Sequence, residues 1–263
     1  MLSKIINTLQ RYTFAFLSCL RLFTIGVFKN SGRTKLSNLC YFFNYARSKE
    51  PLQLPVEKIS RFVNENIEVK IEDPIGQHGN VELIELMVLS GVVNTIKPKR
   101  LFEIGTFDGR TTLNLAINSP DNSEIITIDL PKENIDKSKL NLEKGDYLFI
   151  DKNESGSCFT KSSWAPKIEQ LYGDTASFDF SNYYQSTDFV FVDASHHHEY
   201  VINDSHIAMK LINSNQDKNK MIFWHDYSTN TGVTGALNEL YRTNDAYKDL
   251  KHIEGTSLVF LAL

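Results

Sequence analysis

LFEIGTFDGRTTLNLA, residues Leu101–Ala116, is the stretch on which the fold turns. Arg100–Ile104 is a short apolar run that stops at Gly105, and Thr111–Asn118 carries apolar residues at helical spacing. That order reads as strand, tight turn, helix. A glycine at the turn lets the backbone bend sharply, with no Cβ to keep a neighbouring group away.

The same grammar repeats outward. Glu124–Ile128 is a β-rich run ending in Asp129, Ile168–Tyr172 ends in Gly173–Asp174, and Phe189–Val192 ends in Asp193. Met221–Trp224 ends in His225–Asp226, and Ser257–Leu263 is a final strand. Helical spacing marks Val81–Ile96, Glu199–Leu211 and Val233–Tyr241, and Val56–Val69 reads as a helix or two. Short apolar strands alternating with helices predict an α/β fold, a Rossmann-like doubly wound sheet buried on both faces. In such sheets ligands sit beyond the carboxyl ends of the strands. Gly105, Asp129, Asp174, Asp193 and Asp226 are therefore expected to converge on one crevice. Asp129, 24 residues after Gly105, stands where a carboxylate can accept both hydroxyls of a ribose.

Before Pro51 the chain changes character. The formal charge is −4 overall, yet residues 1–50 hold eight Lys/Arg and one acid, a net +7, which leaves −11 for the rest. Tyr12–Leu20 and Leu22–Phe28 are apolar on either side of Arg21, and each is too short to span a bilayer. We expect residues 1–55 to form a basic apolar helical extension, with residues 56–263 as the main domain and PLQLP (Pro51–Pro55) at the boundary. The extension has three readings: a cap on the domain, a basic aromatic helix on an anionic membrane surface, or a cleaved signal or anchor. Cys19, Cys40 and Cys158 form an odd set without a C-x-x-C pair. That suits a reducing compartment, the cytoplasm, peripheral to the inner membrane face if residues 1–50 touch lipid. The acidic domain offers no basic field for nucleic acid.

EIGTFDGRTT, TIDLP, LYGDTASFDF, FVDASH and WHDY, in this order and spacing, resemble a class I S-adenosylmethionine-dependent methyltransferase. The closer likeness is to the bacterial small-molecule and sugar O-methyltransferases related to macrocin and cephalosporin-pathway enzymes. It runs from about Gly79 to the C-terminus and leaves the first 55 residues out. It implies a seven-stranded sheet, mostly parallel, with one antiparallel strand supplied by a hairpin in HIEGTSLVFLAL (His252–Leu263). It implies S-adenosylmethionine as cofactor and a small-molecule or glycan hydroxyl as acceptor. Glu103, Gly105, Thr106 and Gly109 would line the methionine end, Asp129 would hold the ribose, Asp174 and Thr175 the adenine, and Asp193 would lie near the sulfonium. Oligomeric state is left open.

Two rivals stand beside this reading. One is the same fold binding the cofactor without catalysis, which the carboxylates of Glu103, Asp129 and Asp193 argue against. The other is a nicotinamide-dependent oxidoreductase, which the missing third glycine of G-x-G-x-x-G disfavours.

The ends of the fourth and fifth core strands carry Asp193, His196, His197 and His198, then His225 and Asp226. Neighbouring strand ends lie about 5 Å apart, so these groups can meet. Two chemistries fit. Asp193 and Asp226 can hold a divalent cation such as Mg²⁺, as acids at these strand ends do in metal-dependent relatives. Those relatives show two acids after the fifth strand, where this chain has His225 before Asp226. Alternatively a histidine is the general base, His196 first and His225 second. Relatives also tend to have glycine where Ala194 stands, and a Gly-Gly turn in place of SNQDKNK (Ser214–Lys220). The insert Gly145–Pro166, with Phe149, Phe159 and Trp164, is expected to cover the acceptor.

Overall fold

The computed structural model describes residues 2–42, 48–152, 154–213 and 220–263. It divides into two compact units, Met1–Arg47 with Gln77–Gly79, and Ser48–Gly76 with Asn80–Leu263. The first contains helices α1 (Leu2–Thr24) and α2 (Asn30–Phe42), joined by a short 3₁₀ turn at Gly26–Phe28.

The second unit is built on one eight-stranded sheet. In chain order its elements are β1 (Val56–Glu57), α3 (Leu83–Ile96), β2 (Arg100–Ile104), α4 (Arg110–Asn118), β3 (Glu124–Asp129), α5 (Tyr147–Ile150), β4 (Ile168–Tyr172), β5 (Phe189–Val192), α6 (His198–Leu211), β6 (Met221–Trp224), α7 (Thr231–Thr243), β7 (Lys251–Ile253) and β8 (Val259–Ala262). Across the sheet the order is β1-β7-β8-β6-β5-β2-β3-β4. Only β8 runs against its neighbours, pairing antiparallel with β6 and β7.

Alternation along the strands fills two cores. Leu101, Phe189, Phe191 and Phe223 join Leu86, Leu89 and Leu115 from α3 and α4 on one face. Phe102, Ile104, Val190, Val192, Ile222 and Trp224 join Val201, Leu211, Val233 and Leu237 from α6 and α7 on the other. Burial on both sides is why these strands read as continuous apolar runs.

The sheet holds one strand more than the seven expected. Residues 56–69 also depart from the predicted helix. The spacing of Val56, Ile59, Phe62 and Val63 mimics a helical period, but Val56 and Glu57 pair parallel with His252 and Ile253 at the sheet edge. A 3₁₀ turn at Ile59–Arg61 and an Asx turn, in which Asn66 N donates to Asn64 Oδ1 (3.0 Å), follow. Phe62 is buried edge-on to Phe223 and Phe260. Docking of these apolar residues on the sheet wins over local helical propensity. The closing hairpin in residues 252–263 forms between β7 and β8. Residues 214–219 of SNQDKNK lie outside the described residues.

Register brings the functional strand ends level. Ile104 pairs with Ile128 and with Val192, and Val192 pairs with Trp224. Gly105, Asp129, Asp193 and His225 thus follow in one row, tied by Gly105 N donating to Ile128 O, Asp193 N to Ile104 O and His225 N to Val192 O (2.9, 2.8 and 3.1 Å).

Candidate active site

A crevice opens at that row. Gly105, Asp129, Asp174, Thr175 and Asp193 line it, with Phe107, Asp146, Phe149, Lys152, Tyr200 and Asp204. Gly105 has φ +101°, and a Cβ there would lie 2.0 Å from the carbonyl oxygen of Asp193. Only glycine allows the ends of β2 and β5 to close on each other in this way.

Glu103, Thr106 and Gly109 are not among the lining residues; they shape the turn from behind. Glu103 is buried and accepts hydrogen bonds from Thr112 of α4 and from Thr127 of β3 (3.1 Å for the latter). Burial pushes its carboxyl up to about 8. Thr106 Oγ1 meets Thr127 Oγ1 at 2.7 Å, and Gly109 caps α4 in a left-handed conformation.

Asp129 ends β3. Its Oδ2 accepts from Ser155 Oγ at 2.5 Å and pairs with Lys152 Nζ at 2.6 Å. Asp174 is held rigidly: Oδ1 accepts from Tyr200 Oη (2.9 Å) and Ala176 N (3.0 Å), and Oδ2 accepts from Lys139 N (2.8 Å). Close by, Asp204, a buried acid on α6, accepts from Asn203 Nδ2 at Oδ1 (3.0 Å), and its Oδ2 has no hydrogen-bond partner. Burial raises the Asp204 carboxyl to about 7.

Beside this region lies a chain of carboxylates and imidazoles. Asp146 Oδ1 sits 2.5 Å from His196 Nδ1, and His196 Nε2 sits 2.8 Å from Asp226 Oδ2. Asp226 Oδ2 lies 3.2 Å from His225 Nδ1, which is 3.1 Å from Asp193 Oδ1. On its far side His225 Nε2 meets Glu85 Oε2 at 2.9 Å. Glu85 is itself fixed, its Oε1 accepting from Ser257 N and Oγ (2.7 and 2.8 Å). Burial alone would lower both imidazoles. The carboxylates around them reverse this and hold both well above the ordinary histidine range. Asp226 and Asp146 move the opposite way: burial would raise them, and their histidine partners hold them low.

Asp193, His225 and Asp226 place three donor atoms within 4.8 Å of one another. The Glu85 bond to Nε2 turns Nδ1 of His225 toward the two acids, the outer support that metal-binding histidines commonly have. The donor set fits one divalent cation held by two carboxylates and a nitrogen.

The sequence-derived candidates Asp129, Asp174, Thr175, Asp193, His196, His225 and Asp226 thus meet at one end of the sheet. His198 points elsewhere, 3.2 Å from Glu239 on α7, and His197 precedes α6. Glu85, Asp146 and Asp204 join the site without having been singled out by sequence reasoning. Asp146 lies in the Gly145–Pro166 insert, of which only the first part faces the cavity. Phe149 stands edge-on to Phe107 with ring centres 5.6 Å apart, whereas Phe159 is buried and Trp164 packs on the α3/α4 core.

Fold and site together define a Rossmann-like α/β domain with a crevice at the carboxyl ends of its strands. Residues 102–227 match the family model described as a methyltransferase domain. A caffeoyl-CoA O-methyltransferase of Stellaria longipes is 30% identical over 107 residues, 41% of this chain and 39% of that protein. The chain therefore matches well under half the length of this curated relative. The O-methyltransferase of Bacillus cereus, solved in complex with SAH, superposes with a TM-score of 0.50 at 15% identity, covering 70% of this chain and 82% of that one. TomG of Streptomyces achromogenes, an O-methyltransferase of tomaymycin synthesis solved with SAM, gives 0.48 at 18% identity, covering 70% and 81%. Among the described residues no helix is long and apolar enough to cross a membrane.

Proposed function

We propose that the protein transfers a methyl group from S-adenosylmethionine to a hydroxyl oxygen of a small-molecule or sugar acceptor. The observation that carries this reading is the adjacency of two sites sharing Asp193: a crevice lined by the strand-end acids Asp129 and Asp174, and a histidine–carboxylate chain suited to a hydroxyl. The bound cofactor supplies a methyl group on a sulfonium, already activated for in-line displacement. Asp129 would hold the ribose, Asp174 and Thr175, with Asp204 behind them, the adenine, and the turn shaped by Glu103, Gly105, Thr106 and Gly109 the methionine end. Free Cys19 and Cys158 suit a cytoplasmic setting.

Positioning does most of the work in such a displacement. Phe107 and Phe149 wall the reacting region against water. Asp146 fixes the ring of His196 so that Nε2 faces Asp226. The acceptor proton would pass to the Asp226 carboxylate as the new C–O bond forms, and His196, engaged by Asp146 on its other nitrogen, holds that carboxylate in place. Asp193, His225 and Asp226 would hold a divalent cation, which lowers the pKa of a hydroxyl bound to it. The nitrogen donor favours a first-row transition-metal ion over Mg²⁺, which prefers an all-oxygen shell.

Calorimetric titration with S-adenosylhomocysteine and with NAD tests the core of the reading. We expect the thioether to bind wild type and to bind Asp129→Ala far more weakly. Binding of NAD with no response to the thioether would overturn the proposal. Activity that survives excess EDTA unchanged would remove the cation.

A further inference from the structure

We infer that α1 is an interfacial helix that lays its apolar face into the headgroup region of an anionic lipid bilayer. The inference goes beyond methyl transfer and does not depend on it. At ~100° per residue, Ile6, Leu9, Tyr12, Phe16, Leu17, Leu20 and Phe23 share one arc of ~140°. Asn7, Gln10, Arg11, Ser18 and Arg21 occupy the other side, where Phe14 is the one large exposed exception.

The apolar arc is uncovered. Leu9 is 64% exposed, Tyr12 74%, Phe16 69% and Phe23 59%. Exposed apolar surface on this scale marks an interaction face. Two polar residues fall within the arc, Thr13 and Thr24, and both turn their hydroxyls inward. Thr13 Oγ1 donates to Leu9 O (2.9 Å) and Thr24 Oγ1 to Leu20 O (2.8 Å). Apart from the Tyr12 phenol at its edge, the face therefore presents methyl groups and rings to its surroundings.

Charge selects the occupant. Residues 1–47 contain seven Lys/Arg and no Asp or Glu. A second copy of this segment would set seven cations against seven, whereas an anionic leaflet complements them. Arg11 and Arg21, ten residues apart, suit a helix lying in the interface plane, where both can reach headgroups. The helix is not apolar enough to cross.

The test is co-sedimentation of the full chain with phosphatidylcholine vesicles, with and without phosphatidylglycerol. We expect pelleting only with the anionic lipid, reduced at high salt. Phe16→Ser with Leu20→Ser should weaken partitioning at least ~10-fold, and Arg11→Glu with Arg21→Glu by a similar factor. Circular dichroism of each variant checks that the fold persists. In a Leu20→Trp variant, compared with the parent chain, the added emission should shift to the blue on anionic vesicles. The inference is overturned if the chain stays in the supernatant with anionic vesicles, or pellets equally well without Phe16 and Leu20. A concentration-dependent dimer that the Phe16/Leu20 pair abolishes, with no vesicle binding, would assign the face to a second copy instead.

Discussion

Two buried carboxyls, Glu103 and Asp204, stand above the ordinary carboxylate range. Glu103 is raised to about 8 by burial, so the folded state keeps its proton where the unfolded chain, near 4.5, has released it. The folded form therefore loses stability as pH rises from about 4.5 to about 8. Glu103→Gln keeps the shape and an acceptor for Thr112 and Thr127 while removing the titration. Its melting temperature should fall less across that window than that of wild type, as thermal denaturation at a series of pH values will show. Asp146 acts differently, through His196. Asp146→Asn leaves a partner for Nδ1 but removes the charge that orients the ring. Turnover should fall ~10–100-fold, the usual scale for outer-shell partners of catalytic groups, with affinity for S-adenosylhomocysteine nearly unchanged. An equal loss of cofactor affinity would mean that Asp146 shapes the crevice rather than the imidazole.

At the scale of elements, α4 is the helix that the opening motif introduces, and its far end is closed by a side chain from another part of the chain. Lys167 Nζ donates to Ala116 O (2.8 Å), Pro120 O (2.9 Å) and Ser119 Oγ (3.0 Å), with the Trp164 ring 5.1 Å away. A cation at a helix C-terminus satisfies orphan carbonyls and meets the helix dipole. Lys167→Met should cost ~1–2 kcal/mol, measurable by denaturant unfolding, without changing cofactor affinity. This contact also shows where sequence reading stops. Strands β2, β3, β5 and β6 were legible because each is a largely apolar run of four to six residues ended by a polar group, a pattern imposed by burial on both faces, while β4 at the sheet edge is only partly buried and was marked by the Gly173–Asp174 that ends it. The strand-end acids and histidines followed from that topology. Glu85, Asp146 and Asp204 did not, because they arrive from the first turn of α3, a loop and the middle of α6, where one acid among many carries no periodic mark. β1, with two residues, is too short for any period, and its apolar neighbours docked on the sheet with the spacing of a helix.

For the molecule as a whole, the charge division is sharper than the sequence average implies. All 32 Asp and Glu lie outside residues 1–47, and the unit spanning Ser48–Gly76 and Asn80–Leu263 holds the entire carboxylate-lined crevice. That crevice draws on strand ends, α6 and the 145–166 insert at once, so a ligand filling it bridges elements far apart in sequence. Binding then stabilises the unit by mass action, ~2.7 kcal/mol at a hundred times the dissociation constant. For a unit of roughly 200 residues this corresponds to about 5–10 °C in melting temperature. Both tryptophans, Trp164 and Trp224, lie in this unit, so their fluorescence follows its unfolding alone. S-adenosylhomocysteine should raise the fluorescence-detected transition by that amount in wild type and by much less in Asp129→Ala. An equal rise in both proteins would place the ligand away from Asp129, at a site other than the crevice that the strand ends build.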